Sequence, residues 1–389
     1  MEARSSAFLG IDPVSIPAPP SRPRPAWMAP GGGYEVELRA VQDVGADIEA
    51  WQDLAGRAME PGLFAHPAVL LPALQHLPDG RQATLLLVWQ QAPRRVLRGL
   101  FPVLMPRLPL APGEVRLWRP AAFPVAAALL DRERSEAVLG AALSFCDARG
   151  PRCASLVLTA VLADGPLARS CAAAAAASRR RIEPLPLPYA LAAASLPSPE
   201  GFVPRRDRQL RIGQARSPAQ VRDAVETFLV VDAAAAKARG AAALIQDPGM
   251  ASFVRTMTRE LARRGRCRVD VLRQGGDPVA AAIVIEDADA LWLWRAAAVP
   301  GGASHADRLV VASAARARRS AKRLIVTDAA GLSSEAAGAL GLKPLGLADL
   351  LVSTRPGHSP GAAAIRLKVR VDRGLRRIAA AGLQRLARA

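Results

Sequence analysis

Between Tyr34 and Val352 the chain runs twice through one order of elements: strand, helices, hairpin strands, strand, helix, strand. A repeat of one supersecondary order over about 150 to 180 residues predicts two similar α/β units from an internal duplication, although no identical block of sequence recurs. In the first copy Tyr34 to Leu38 alternates as a strand, and Asp47 to Glu60 carries Ile48, Trp51, Leu54 and Ala55 on one helical face. A second helix is expected from His66 to His76, then strands at Ala83 to Trp89 and Arg95 to Met105, a helix from Ser135 to Arg149, and a strand from Ala154 to Thr159. Leu167 to Arg181 is Ala-rich and helical by propensity.

The second copy opens with a helix over Pro218 to Val231. In the next, Phe253 to Arg264, the apolar residues Phe253, Met257 and Leu261 recur four apart and Gly265 supplies the stop. Strands Cys267 to Leu272 and Pro278 to Glu286 flank a Gly-Gly turn, followed by strand Ala290 to Ala296, helix Ser304 to Arg319, and strands Arg323 to Thr327 and Leu347 to Val352. The expected fold class is α/β, tandem units with mixed central sheets flanked by helices. Proline and glycine mark the limits. Residues 1–33 read as a disordered leader, 34–185 and 186–355 as the two units parted at the proline-punctuated Glu183 to Ala190, and 356–389 as a basic tail.

Lys and Arg total 52 against 34 Asp and Glu, a formal charge of +18 that favours anionic partners. Two Tyr and eight Phe leave few aromatic platforms for bases, and no recognition motif accompanies the charge, so nucleic acid ranks last among partners. From Gly361 onward the tail holds eight Lys and Arg against Asp372, interleaved with apolar residues; a basic amphipathic helix would suit an anionic membrane or an acidic protein, and a solvated helix packed on the domain explains it as well. Four cysteines without CxxC and four scattered histidines give no metal spacing. With no signal peptide and no apolar span, the expected location is cytoplasmic, or peripheral at the inner face of the membrane.

Phe228-Leu229-Val230-Val231-Asp232, Lys237-Ala238-Arg239-Gly240, the helix from Phe253, the strand Val269 to Leu272, Gly276-Asp277-Pro278-Val279-Ala280 and Leu291-Trp292-Leu293-Trp294 form an ordered series. It resembles the GNAT-fold acetyltransferases of the cellulose-biosynthesis, CelD/BcsL-like type, two GNAT-like units in one chain, related in shape to the peptidoglycan aminoacyl-transferases. The chain departs from that pattern at Asp232, where the family has Glu, at Ala236, where Trp is common, and at Gly302 to Asp307, where relatives open the last long helix with Ser-Pro-Gly. The resemblance implies transfer of an acyl group from acetyl-CoA to an amine or hydroxyl on a small-molecule or saccharide acceptor linked to exopolysaccharide. A non-catalytic scaffold that reaches a membrane-bound polysaccharide machine through the basic tail is the alternative.

Acyl transfer from a thioester needs a phosphate cradle, a proton relay and an oxyanion donor. Gly302, Ser304 and Arg308, at the start of the helix from 304, are placed to hold the cofactor's phosphates, with Arg295 assisting; Ser304 as an ordinary cap is the equal alternative. Asp232 and His305 are the candidate bases. Lys237 and Arg239 are candidate substrate contacts on a basic loop, and Trp292 and Trp294, two apart on a strand, face one side where they line an acceptor cleft or pack in the core. Asp328 ends an apolar strand, a position where open α/β sheets often present functional groups and where a turn aspartate is equally at home. GxSxG, P-loop and HExxH signatures do not occur.

Overall fold

Proline and cap chemistry set where the helices begin. The computed structural model describes residues 26–60, 62–107, 112–194, 209–301, 303–327 and 340–357, together with 338, 363, 364 and 367. The first half contains β1 (Trp27–Met28), β2 (Tyr34–Ala40), α1 (Ile48–Arg57), α2 (Pro67–His76), β3 (Thr84–Gln90), β4 (Val96–Leu104), β5 (Glu114–Leu117), β6 (Leu129–Leu130), α3 (Ser135–Asp147), β7 (Ser155–Leu162), α4 (Pro166–Ala177) and β8 (Ile182–Ala194). The second contains β9 (Leu210–Ala215), α5 (Pro218–Ala238), α6 (Pro248–Ala262), β10 (Cys267–Gln274), β11 (Asp277–Glu286), β12 (Ala290–Ala298), α7 (Ala303–Arg319), β13 (Arg323–Val326) and β14 (Lys343–Ser353). Proline stands in the first turn of α2, α4, α5 and α6, where a missing N–H is harmless. Ser217 and Gln220 cap α5 reciprocally, and Asp247 accepts the Met250 N–H at the start of α6. Gly275 and Gly276, with φ of +59° and +106°, make the two-residue turn between β10 and β11.

Three expectations are corrected here. The leader does not run to residue 33: Trp27 and Met28 pair with Val36 and Glu35, and the Trp27 ring meets Phe145 edge-on at 5.9 Å. The segment Glu183 to Ala190, read as a break, lies inside the 13-residue strand β8, so the boundary placed at 185/186 falls within a strand. The strand carries Pro184, Pro186 and Pro188; the first two stand opposite Leu350 and Ala348 of β14, and a ladder tolerates proline where the absent N–H faces away from the partner. The helix expected to end at Val231 runs on to Ala238, because Ala233 to Ala236 has the strongest helix propensity available. Residues 1–25, Asp328 and nearly all of the tail lie outside the described residues.

One mixed sheet runs through both halves in the order β1-β2-β3-β4-β5-β7-β14-β8-β13-β12-β11-β10-β9, with β6 beside β4. At its centre the halves exchange their last strands. β14, from the end of the second half, pairs with β7 of the first, and β8, from the end of the first, pairs with β13 of the second; β8 and β14 also pair with each other. Parallel pairs occur at the corresponding places in the two halves, β5 with β7 and β12 with β13. On one face a shared core joins Trp51, Phe64 and Phe123 of the first half to Phe228, Phe253, Trp292 and Trp294 of the second. On the other, α3 and α4 cover the first half and α7 the second. No helix among the described residues is long and apolar enough to cross a membrane.

Asp131, fully buried, ties three elements together. Its carboxylate accepts hydrogen bonds from Arg57 of α1 (3.0 Å), Arg98 of β4 (2.6 Å) and the Glu133 N–H in the turn before α3 (3.0 Å). Burial pushes its pKa up, and the bonds from Arg98, Glu133 and Arg57 outweigh burial, so the net shift is down. A native pKa below the unfolded one gives stabilisation that is complete above the unfolded value of about 3.9 and is lost as pH falls through the native value. Asp131→Asn should therefore cost about 1–3 kcal/mol at pH 7, with the deficit shrinking below about pH 3.9, in urea titrations read by fluorescence. The strand exchange carries its own test. A chain ending at Leu342 lacks β14 and bares the edges of β7 and β8, so calorimetry should show no cooperative melting of either half; an unchanged transition would contradict the exchange.

Candidate functional site

β13 is only four residues long, and this leaves a gap in the sheet. β12 pairs with it from Ala290 to Leu293 and with β11 from Leu291 to Ala298. The Thr327 N–H bonds the Leu293 carbonyl (3.3 Å) and its hydroxyl the Trp294 carbonyl (2.6 Å), closing the shared stretch. From Arg295 to Ala298, β12 is paired through β11 alone among the described residues, so main-chain groups on its other edge face an opening between β12 and β8. The strand then leads through Gly301 (φ +79°) into α7. Gly301 is exposed, and a Cβ there would meet nothing within 4 Å.

A bulge aims the side chains at this opening. Ile283 opposes Arg295 and Val284 opposes Leu293, leaving Trp294 as an extra residue. Leu291 and Leu293 face α7, Trp292 and Trp294 face the shared core, and the bulge brings Arg295 to the Trp294 side. Its guanidinium carbon lies 5.0 Å from the Trp294 ring centroid, and its Nε is buried without a hydrogen-bond partner. Burial lowers the Arg295 pKa, with the Asp232 carboxylate opposing. On the other side of the sheet, in the first turn of α7, His305 holds a buried Nδ1 that also has no partner.

The corresponding place in the first half is filled. Beyond Leu117 the chain from β5 folds back, the Ala126 N–H bonds the Ala160 carbonyl (3.0 Å), and Trp118, Ala122 and Phe123 are buried where β12 has its opening. Of the two units, the second alone keeps this gap among the described residues.

The two candidate bases do not converge. Asp232 lies on α5, packed against the shared-core face, and His305 lies on α7, on the opposite face. One Asp232 oxygen accepts the Leu244 N–H (2.9 Å), which ties the end of α5 to the following turn. Lys237 and Arg239 are not on a loop: they are the last residue but one and the C-cap of α5, exposed, where cations suit the negative end of a helix. Trp292 and Trp294 are core residues. Trp292 packs edge-on against Phe64 at 5.2 Å, and Trp294 packs on Phe253 and donates its Nε1–H to the Ala122 carbonyl (2.9 Å). Ser304 is the second residue of α7 and Arg308 follows about one turn on, partly buried; Gly302 and the Ser304 side chain lie outside the described residues. Thr327 was missed, although a first polar residue after an apolar strand marks where pairing ends. Among the described residues no three His, Cys, Asp or Glu side chains gather as a metal site, and all four cysteines are buried thiols.

Residues 204–323 match the family model of the acetyltransferase (GNAT) domain, a span that includes β12, Gly301 and α7. No curated protein matches the chain in sequence. Among solved structures it is similar to FemX, at 8% identity and a TM-score of 0.54, covering 78% of this chain and 95% of that one. It also aligns with the C-terminal DUF2156 domain of a putative lysylphosphatidylglycerol synthetase from Agrobacterium fabrum (14% identity, 82% and 95% covered, TM-score 0.47). A tandem GNAT protein from the clavulanic acid biosynthesis pathway aligns at 17% identity, with 84% and 100% covered and a TM-score of 0.42. Residues 204–323 are thus similar to a GNAT acetyltransferase domain, and the fold of the chain, two α/β halves on one mixed sheet flanked by helices, is similar to that of FemX.

If Trp294 is a joint between the halves, Trp294→Phe should leave the Ala122 carbonyl unsatisfied and cost about 1–3 kcal/mol of stability in chemical denaturation. Ligand affinity at the opening should change less than twofold in calorimetric titration.

Proposed function

We propose that this chain is an acyltransferase that takes its acyl group from a coenzyme A thioester, acetyl-CoA in the simplest case, at the opening between β12 and β8. The observation that carries this reading is the unpaired edge of Arg295 to Ala298, running directly into the start of α7. An extended ligand with amide groups can add to such an edge as a strand would, and phosphates suit a helix start whose N–H groups point outward. The residues fit a polar, anionic guest: Arg295 and His305 each bring a buried nitrogen without a partner, and Gly301 is exposed. The acceptor amine or hydroxyl attacks the thioester carbonyl; a C–N or C–O bond forms, the C–S bond breaks, and the thiolate leaves with a proton. His305 is the base this reading favours, since the Asp232 carboxylate is engaged by Leu244. An acceptor tied to exopolysaccharide rests on the sequence resemblance alone.

Titration calorimetry with acetyl-CoA tests the donor. The wild-type chain should bind, and Ser304→Asp, which sets a negative charge at the helix start, should weaken binding about tenfold or more, equivalent to about 1.4 kcal/mol. His305→Gln should leave that affinity unchanged and slow turnover about 100-fold or more. No binding by the folded wild-type chain would overturn the acetyl-CoA donor.

A further inference from the structure

At the other end of β12, about 17 Å along the strand from Arg295, the turn from β11 meets the stretch between α1 and α2. A cavity of about 430 Å³ lies between them, and its wall brings together Glu60, His66, Arg132, Arg266, Asp287 and Asp289. That volume is in the range of small-molecule sites.

The wall is rigid and incompletely satisfied. The Asp287 N–H bonds the Ala290 carbonyl (2.8 Å), the Glu286 N–H bonds the Arg266 carbonyl (2.8 Å), and Lys322 holds the Asp287 carbonyl (2.7 Å). Asp287 is 8% exposed; one carboxylate oxygen accepts the Ala288 N–H (2.8 Å), and Oδ2 is buried with no partner. A buried carboxylate oxygen without a donor is costly, and Asp287 is one of the residues that line the cavity. The Arg266 guanidinium makes no side-chain hydrogen bond or ion pair among the described residues, yet its charge is felt by both His66 and Asp287. His66 spends Nδ1 on the Ala68 N–H (3.1 Å), so Nε2 carries the hydrogen, and burial with Arg266 and Arg264 lowers its pKa to about 4. It is therefore a neutral imidazole at pH 7. Glu60 is tied to the start of α4 through the Leu167 N–H (2.8 Å), and burial raises its pKa.

One wall thus offers an acceptor that lacks a donor and a cation that lacks an anion. We propose that this cavity binds a small zwitterion, a free amino acid in the simplest case, with its ammonium on Asp287 and its carboxylate on Arg266. The site stands apart from the acyl-transfer opening, and because its wall comes from both halves, a bound guest fastens them together.

The test uses the full chain and the twenty common L-amino acids as probes, in thermal-shift and calorimetric titrations, with ethylamine and acetate as half-ligand controls. At least one amino acid should bind and raise Tm, with each half-ligand about tenfold weaker or more. Asp287→Asn and Arg266→Gln should each cut that affinity about tenfold or more. Ala288→Trp alters an exposed rim residue and should block the cavity without removing a structural contact, which keeps the test valid should either charge variant fold poorly. Acetyl-CoA affinity should be unchanged in all three. No binding by any amino acid, equal binding of ethylamine or acetate, or undiminished binding in Ala288→Trp would overturn the proposal.

Discussion

The pairing of β8 with β14 at the centre of the sheet is the constraint on which the rest of this molecule depends. Each half supplies the other with a strand, so neither has a complete sheet of its own: without β14, β7 would present a bare edge, and without β8 so would β13. Such an exchange makes two units one folding problem. It also accounts for the prolines of β8. At Pro184 and Pro186 the strand pairs with β14 alone among the described residues, since β13 reaches only Ala192 to Ala194, so the missing N–H groups are tolerated on the free edge.

The two halves differ at the end of their parallel strand pair, and among the described residues only the second keeps an opening there. In both halves a parallel pair comes apart at one end, which leaves main-chain groups in want of partners. The first half answers that want from its own chain, with the Ala126 N–H on Ala160 and Phe123 buried among Phe64, Trp118 and Phe253. The second half does not, and there the bulge at Trp294 keeps β12 turned away from β13. The filled half is not idle. Its Ala122 carbonyl receives Trp294 and its Phe64 receives Trp292, so the wall of the open site stands on the first half.

Much of this architecture was legible in the sequence because period and punctuation report local structure well. Alternation marked β2, an apolar run marked β3, four-residue spacing marked α6, and Gly-Gly marked the β10–β11 turn. What escaped reading depended on partners far away in the chain. Nothing local to Pro184 and Pro186 signals a strand, since the pairing that makes one lies more than 150 residues on, at Ala348 to Val352. The helix read as ending at Val231 continues to Ala238 because Ala233 to Ala236 favours helix and the next glycine stands at 240. Trp292 and Trp294 were placed on one face correctly, and whether that face meets a ligand or a Phe from the other half is decided by tertiary structure alone. The cavity at Asp287 draws on Glu60, His66, Arg132 and Arg266, and no spacing in the sequence connects those positions.

The buried charges divide in a way that separates structure from function. Asp131 with Arg57 and Arg98 joins elements 74 and 33 residues apart, Arg39 joins Glu37 of its own strand to Asp47, and Arg268 pairs with Asp270 along β10. Removing such a pair from water costs more than a surface bridge returns, so these pairs fix register and orientation rather than add net stability. Unsatisfied buried atoms occur in both groups, since Arg39, Arg268 and Trp292 also keep a nitrogen without a partner among the described residues; Arg295, His305 and Asp287 differ in lying near the two ends of β12, and Asp287 lines a cavity. Folding tolerates a few unsatisfied groups when something outside the chain completes them. By that reasoning, the two ends of β12 are the places where this sheet is built to receive another molecule.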